Sequence, residues 1–365
     1  MKRRNFIGTA AVGGAAAAAA TFPAPAIAQG RTEWRMVTTW PKNFPGQGTS
    51  AERLARTIGE MTDGRLTVTV YGAGELVPPF ESFDAVQSGA AECMHATPYY
   101  WQGKSKAVNF FSTVPYGMTT NELTAWIKFG GGQELWDELY DGFGLKGFHA
   151  GSTGVQMGGW FNKEINSLAD INGLKMRIPG TGGDMMRKLG ATVVNLPAGE
   201  IFPALQAGTI DATEWVGPFN DLALGLHRVA QYYYWPGVHE PGTEIEFTVS
   251  QAAFDALPPD LQKIVEVATQ AEETLVFAEF NARNGDALAT LINEHGVELR
   301  EFPEEVLVGF GKAAGEVIAE MRETGDDITV RIVDSFLEHW TKYKDWSDIG
   351  ELAFMQARRL PFDYA

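Results

Sequence analysis

The sequence reads as an α/β protein of two similarly built lobes, with a ligand cleft between them and one very long helix toward the C-terminus. Three observations predict this. Residues 34–71 run strand, helix, strand, the pattern of a βαβ unit. The stretch Phe83–Glu92 is echoed about 119 residues later by Phe202–Asp211. Pro259–Glu294 contains almost no helix breaker except Gly285.

The first residues stand apart from that fold. Arg3-Arg4 precede Asn5-Phe6-Ile7, an Ala/Gly-rich apolar run follows to Ala20, and Ala26-Ile27-Ala28 offers small residues for cleavage. These are the parts of a secretory signal peptide, and the paired arginines are of the twin-arginine type. Residues 1–28 are therefore expected to be removed and the working protein to reside in the periplasm. The run is too short to anchor as a membrane span.

Trp34–Trp40 alternates apolar and polar residues and stops at Pro41, a strand signal. Ser50–Thr62 has helical spacing, with Leu54, Ile58 and Met61 on one face. Asp63-Gly64 turns the chain into a second strand, Leu66–Tyr71. Both members of the echo are short helices closed by a glycine, Gly89 and Gly208, where a left-handed residue fits. Each is followed by a strand end, and ligands of open α/β sheets bind outside the carboxyl ends of strands. That places His95–Trp101 and Glu214–Phe219 at the cleft. Val155–Phe161 and Leu174–Ile178 read as strands, Ser167–Asn172 and Thr181–Leu189 as helices. Beyond the long helix, helices are expected over 304–323, 328–344 and 349–359. The resulting division is lobe I over 29–152, completed by part of 241–365, and lobe II over 153–240. The long helix over 258–295 contacts both lobes or a partner subunit, and 296–365 forms C-terminal helices.

Composition narrows the function. The chain has 365 residues, of which 45% are hydrophobic and 12% aromatic, enough for sizeable cores. The net charge of -17 becomes about -20 without Lys2, Arg3 and Arg4, a field that repels nucleic acid. A small anion would need a local cationic site. Cys93 is the only cysteine and reads as a buried small hydrophobe. No Cys-x-x-Cys, Cys-x-x-Cys-His or His-Glu-x-x-His occurs, so haem, redox-pair and zincin chemistry lack their ligands.

Some residues remain as candidates. Arg177 is a forked cation on an apolar strand, suited either to a ligand carboxylate or to a structural ion pair. Glu214 lies between apolar neighbours at a strand end, and Gln156 offers a neutral oxygen. Such donors suit a hard cation, or simply a solvated turn. Tyr99-Tyr100-Trp101 and Tyr232–Trp235 are aromatic clusters, a common core feature that can also give a pocket polar tips. Pro179–Gly183 precedes a helix and could cradle an anion, without the Lys-Ser/Thr of a phosphate loop.

Taken together, Gly154–Phe161, Leu174–Arg177, Gly208–Pro218, Tyr232–Gly237 and Gly72–Pro78 resemble the substrate-binding proteins of TRAP transporters, nearest to the subgroup that binds 2-oxo acids or lactate through a metal ion. The resemblance covers nearly the whole chain. It implies a two-lobed periplasmic binding protein with a long C-terminal helix that can be exchanged within a homodimer. It also implies membrane permease subunits as partners and no enzymatic activity. By the same resemblance, Arg177 holds the ligand carboxylate. Gln156, Glu214 and the Trp215 carbonyl hold a bridging cation, Na⁺ or Ca²⁺, and Tyr99, Tyr100, Trp215 and Phe219 enclose the ligand. The segment His239–Phe247 is more acidic than in the 2-oxo acid binders and closer to the lactate type, which makes Glu240 a further cation ligand. The expected ligand is a small 2-oxo or 2-hydroxy monocarboxylate of the pyruvate or lactate kind. The alternatives are a secreted enzyme acting on small organic acids and a structural dimer module.

Overall fold

A computed structural model describes residues 30–363, so the signal segment lies outside the described residues. Eleven strands form two sheets: β1 Thr32–Thr38, β2 Leu66–Tyr71, β3 Cys93–Ala96, β4 Leu145–Ser152, β5 Gly159–Phe161, β6 Lys175–Arg177, β7 Thr192–Val194, β8 Ala212–Thr213, β9 Tyr232–Trp235, β10 Glu244–Ser250 and β11 Glu298–Glu301. Lobe I carries the order β2-β1-β3-β10-β4 and lobe II the order β11-β9-β5-β8-β6-β7. In lobe I, β1 pairs in parallel with β2 and β3, while β10 runs antiparallel between β3 and β4. In lobe II, β6 is parallel to both β7 and β8, and β5 is antiparallel to β8 and β9.

The echo has the conformation its glycines require. Helices Ser82–Gln87 and Ala198–Gln206 are each followed two residues later by a glycine with positive φ, 77° at Gly89 and 68° at Gly208. A side chain there would meet backbone strain. From each glycine the chain enters the sheet, at β3 in lobe I and at β8 in lobe II.

The lobes are joined in two ways. Two extended crossovers, from β4 to β5 and from β9 to β10, pass between them and bond to each other. The Thr153 amide donates to the Thr243 carbonyl (3.0 Å) and the Gly237 amide to the Gln156 carbonyl (3.2 Å). In addition, two helices run across both lobes. Helix Pro259–Asn293 packs Leu261, Val265 and Ala268 with Trp34 and Leu54 of lobe I. Farther along, it packs Val276, Phe280 and Leu291 with Trp160, Ile201 and Tyr233 of lobe II. Helix Glu304–Thr324 covers lobe II with Val306 and Phe310 and lobe I with Val317 and Met321.

The structure differs from the sequence reading at several points. Val155–Phe161 is a strand only over Gly159–Phe161, because the preceding residues are taken up by the crossover, where Met157 and Gly158 bond to Val216 and Tyr234. Ser167–Asn172 shortens to a single 3₁₀ turn, Leu168–Ile171. Residues 298–301 are not helical: β11 joins the lobe II sheet beside β9, so lobe II draws on residues well beyond 240. Met61, placed on the buried face, is 45% exposed because it ends its helix. Val276 and Phe280 of the long helix are fully buried in their own chain. On that stretch Leu275 remains exposed. Cys93 is free and fully buried, and burial pushes its thiol well up.

Glu246 on β10 is fully buried and accepts hydrogen bonds from Tyr140 (2.9 Å), Thr248 (2.6 Å) and Trp101. Burial nevertheless dominates and raises its carboxyl to about 7. A raised carboxyl binds its proton more tightly in the folded chain than in the unfolded one, where it titrates at about 4.3. Its contribution to stability is therefore full below the unfolded value and is lost as pH rises toward 7. Glu246→Gln should show a shallower fall in melting temperature between pH 5 and pH 8 than the wild type does. Scanning calorimetry at constant ionic strength measures this, and identical slopes would exclude the buried carboxyl as a source.

Candidate functional site

Strand register places the first pair of site residues. β6 and β8 align Arg177 with Thr213, and the Glu214 amide donates to the Arg177 carbonyl at 3.2 Å. The Arg177 guanidinium thus lies beside the Glu214 carboxylate, and both are fully buried. Arg177 also donates to the Glu214 carbonyl (3.0 Å) and the Leu196 carbonyl (3.1 Å), and its guanidinium carbon lies 5.0 Å from the Trp215 ring centre. Its Nη2, however, has no protein partner.

The crossovers deliver the rest. Gln156, between β4 and β5, donates its amide nitrogen to Thr153 and Thr243, each at 3.0 Å. Those two bonds orient the amide and leave its oxygen buried without a partner. His239 and Glu240 lie between β9 and β10. Thr243 donates to Glu240, and one ligand atom each from Glu214, His239 and Glu240 falls within 4.8 Å of the others. Glu214 Oε2 and His239 Nε2 are likewise buried and without a hydrogen bond, 3.5 Å apart. Burial and the Glu214 charge hold the Glu240 carboxyl well above its ordinary range.

Buried polar atoms in folded proteins are nearly always paired. Here Gln156 Oε1, Arg177 Nη2, Glu214 Oε2 and His239 Nε2 are all left over in one region. The set combines two hard oxygen donors with an imidazole nitrogen and one guanidinium NH₂ group. Hard oxygens suit Na⁺ or Ca²⁺, and the guanidinium suits a carboxylate. The charge count agrees. One guanidinium faces two glutamates, so a carboxylate ligand would add a third negative group unless a cation accompanied it.

Beside this cluster is a narrow cavity with about 10 Å³ of free space, roughly room for one water molecule. Trp40, Gln47, Thr97, Tyr99, Tyr100 and Ile245 line it from lobe I, Trp215 and Val216 from lobe II, and Thr153, Gln156 and Thr243 from the crossovers. Trp215 stands edge-on to Trp40 (6.4 Å) and Phe44 (6.1 Å), and Tyr99 edge-on to Tyr100 (4.8 Å). Burial raises the Tyr100 hydroxyl to about 12. Wider grooves open elsewhere, one walled by Lys104, Lys106 and Asp326 and another by Tyr116, Gly315 and Trp340. Neither includes a buried, unpartnered side-chain polar atom among the described residues.

The structure therefore gathers Arg177, Gln156, Glu214, Trp215, Glu240, Tyr99 and Tyr100 in one region. Phe219 is the exception: its ring packs on Phe280 (5.9 Å) and faces Arg283 (5.7 Å), and it does not line the cavity. Tyr233 and Tyr234 are core residues, Tyr233 stacking on Trp160 at 4.0 Å. The glycine-rich turn opens helix Gly180–Lys188, whose Thr181 amide donates to Asn109. Sequence reasoning missed Trp40, Gln47, Thr153 and Thr243. For Trp40 a signal existed, since it follows a strand at the end where ligands bind. For Gln47 and the two threonines none did.

Comparison with known proteins follows the same outline. Residues 36–324 match the family DctP, bacterial extracellular solute-binding protein, family 7. A monocarboxylate 2-oxoacid-binding periplasmic protein of Nostoc sp. is 40% identical over 368 residues, covering 97% of this chain and 98% of that one. A TRAP periplasmic solute-binding protein of Pseudoalteromonas atlantica, solved with bound sodium and pyruvate, is 42% identical at a TM-score of 0.87, covering 89% of this chain and 99% of its own. A TRAP transporter solute-binding protein of Bordetella bronchiseptica is 38% identical at a TM-score of 0.88, covering 90% and 97%. It was solved as a dimer of mixed occupancy, with copurified calcium and picolinate in one site.

Proposed function

This chain belongs to the family 7 bacterial extracellular solute-binding proteins, and we propose from that premise that it is the receptor subunit of a TRAP transporter for small 2-oxo or 2-hydroxy monocarboxylates. The observation that carries the reading is the convergence of buried atoms without partners at Gln156, Arg177 and Glu214. In this reading Gln156, Glu214, the Trp215 carbonyl and Glu240 hold Na⁺ or Ca²⁺. The cation is chelated by the ligand's carboxylate and its 2-oxygen, and Arg177 Nη2 takes the carboxylate.

The relatives support this chemistry. Pyruvate carries an oxygen next to its carboxylate and picolinate a ring nitrogen in the same place, so both can chelate an ion through two adjacent donors. The relatives are solute receptors, and they lend no support to the secreted-enzyme alternative. Among the described residues no helix is long and apolar enough to cross a membrane; in this reading membrane permease subunits carry the ligand across. Closure of two lobes on a ligand belongs to the known repertoire of periplasmic binders.

Binding of pyruvate or lactate should require the cation. A ligand that binds only the folded state raises the melting temperature. Pyruvate with Na⁺ or Ca²⁺ should stabilise the protein, whereas chelator-treated protein in a Na⁺-free buffer should not respond. Equal stabilisation in both, or stabilisation by succinate or glucose alone, would rule out the bridging-ion reading.

Arg177→Met should weaken binding by about 2–5 kcal/mol, the usual loss when one partner of a desolvated charge pair is removed. Calorimetry with pyruvate measures it, and affinity within twofold of wild type would remove Arg177 from the ligand shell.

A homodimer forms part of the reading, but its surface differs from the one the sequence suggested. Exposed apolar residues concentrate near the C-terminus, with Trp346, Ile349, Phe354 and Leu360 each more than 60% exposed. Contiguous apolar surface of this kind marks partner sites. Light scattering should give about twice the chain mass for the mature protein and a single chain mass after removal of residues 349–365. A dimer that survives that removal places the interface elsewhere.

A further inference from the structure

We propose that Gln47 determines specificity in the cavity: it reads carbon 3 of the bound acid and favours tails that carry a hydrogen-bonding group over alkyl tails. The inference rests on the reading of the cavity as a 2-oxo acid site. Gln47 is 2% exposed, lines the cavity, and its side-chain oxygen has no partner. Four neighbouring polar side chains on the cavity wall are already engaged. Trp40 Nε1 donates to His95 (2.9 Å), Thr97 to the Glu244 carbonyl (2.8 Å), Thr243 to Glu240, and Trp215 Nε1 to Asn220 (3.2 Å).

Gln47 is also the first residue of helix Gln47–Met61. That helix has no side-chain cap at Gly46 and no acidic residue in its first turn. Through Gln47 the start of the helix borders the cavity, with the Thr49 amide donating to the Phe44 carbonyl at 3.0 Å. The end is fixed in place, because Asn220 of lobe II donates to the Pro45 carbonyl at 2.9 Å. A Cβ on Gly46 would come within 2.6 Å of Phe280.

Geometry assigns the tail to Gln47. Gln156 and Trp215, which hold the cation in our reading, approach from the crossover and lobe II. Gln47 approaches from lobe I. A short acid whose carboxylate and 2-oxygen face the cation then presents carbon 3 to lobe I. An alkyl tail would leave the buried amide unpaired, and a site built to bond a polar group discriminates strongly against the analogue that lacks it.

The test uses 3-hydroxypyruvate and 2-oxobutyrate, which differ by a hydroxyl in place of a methyl group. Both are titrated by calorimetry into wild type, Gln47→Leu and Gln47→Met, with Na⁺ or Ca²⁺ present. Wild type should prefer 3-hydroxypyruvate by about tenfold, in line with the net worth of one hydrogen bond. Both variants should lose or invert that preference. The ratio between two ligands of equal size is insensitive to a general loosening of the fold, so a purely structural role would leave it unchanged. Equal affinities in wild type, or an unchanged ratio in the variants, overturns the inference while the 2-oxo acid reading stands. If wild type binds neither acid with either cation, the 2-oxo acid reading fails and this inference with it.

Discussion

The buried pair of Arg177 and Glu214 sets the terms for the rest of the site. Both charges are withdrawn from water at the end of a short parallel ladder, where isolated charges would be very costly. They are tolerated because the β6–β8 register puts them side by side and because two carbonyls accept further hydrogens from Nε and Nη1 of the guanidinium. The pairing is incomplete, however. One guanidinium nitrogen and one carboxylate oxygen have no partner, and Glu240 adds a second acid nearby. The pair is stable enough to persist in the fold yet leaves capacity for one more anion and one cation. Coupling the two is the physical basis for selecting a carboxylate that chelates.

The fold supplies this site from segments whose positions depend on each other. Lobe II contributes Arg177, Glu214 and Trp215 from adjacent strand ends, and the crossovers contribute Gln156, His239 and Glu240. The crossovers hydrogen-bond to each other, and Thr153 and Thr243 orient the Gln156 amide from both sides. Donor atoms held this way share one hydrogen-bonded junction between the lobes. Two long helices pack across the same junction, so the arrangement of the lobes and the geometry of the donors are set by the same contacts.

Much of this was legible in sequence, for identifiable reasons. The βαβ unit, the glycine-closed echo and the breaker-free helix are local signals, and their elements appear within a few residues of expectation. Arg177 and Glu214 could be singled out because charges within apolar strand segments demand an explanation. What escaped depends on tertiary context. β11 is a short strand that exists only because β9 offers an edge to pair with. Phe219 follows the same turn as Trp215, but the helix starting at Pro218 rotates its ring onto the spanning helix. The sequence left open whether the long helix serves both lobes or a partner subunit, and the burial of Val276 and Phe280 against lobe II answers for the lobes along that stretch. The orienting threonines and Gln47 are ordinary polar residues whose roles arise only from what surrounds them.

One further network shows how the cavity wall is tied to the scaffold. Trp40 donates to His95 Nδ1, so the neutral ring carries its proton on Nε2, which faces Ser50 at 3.5 Å. Burial, with Arg53 nearby, lowers His95 to about 3, so the imidazole remains neutral across the range in which the fold is stable. Ser50 in turn donates to Glu272 (2.7 Å), and Arg53 pairs with Glu272 (2.6 Å) and Glu279 (3.1 Å) on helix Pro259–Asn293. An aromatic wall of the cavity is thereby connected through four hydrogen-bonded residues to the helix that crosses both lobes. Any ligand that presses on Trp40 meets a ring whose orientation is fixed by a neutral acceptor. That acceptor stays neutral at neutral pH, so Trp40 keeps this bond while selection among ligands falls to the groups that remain unpaired.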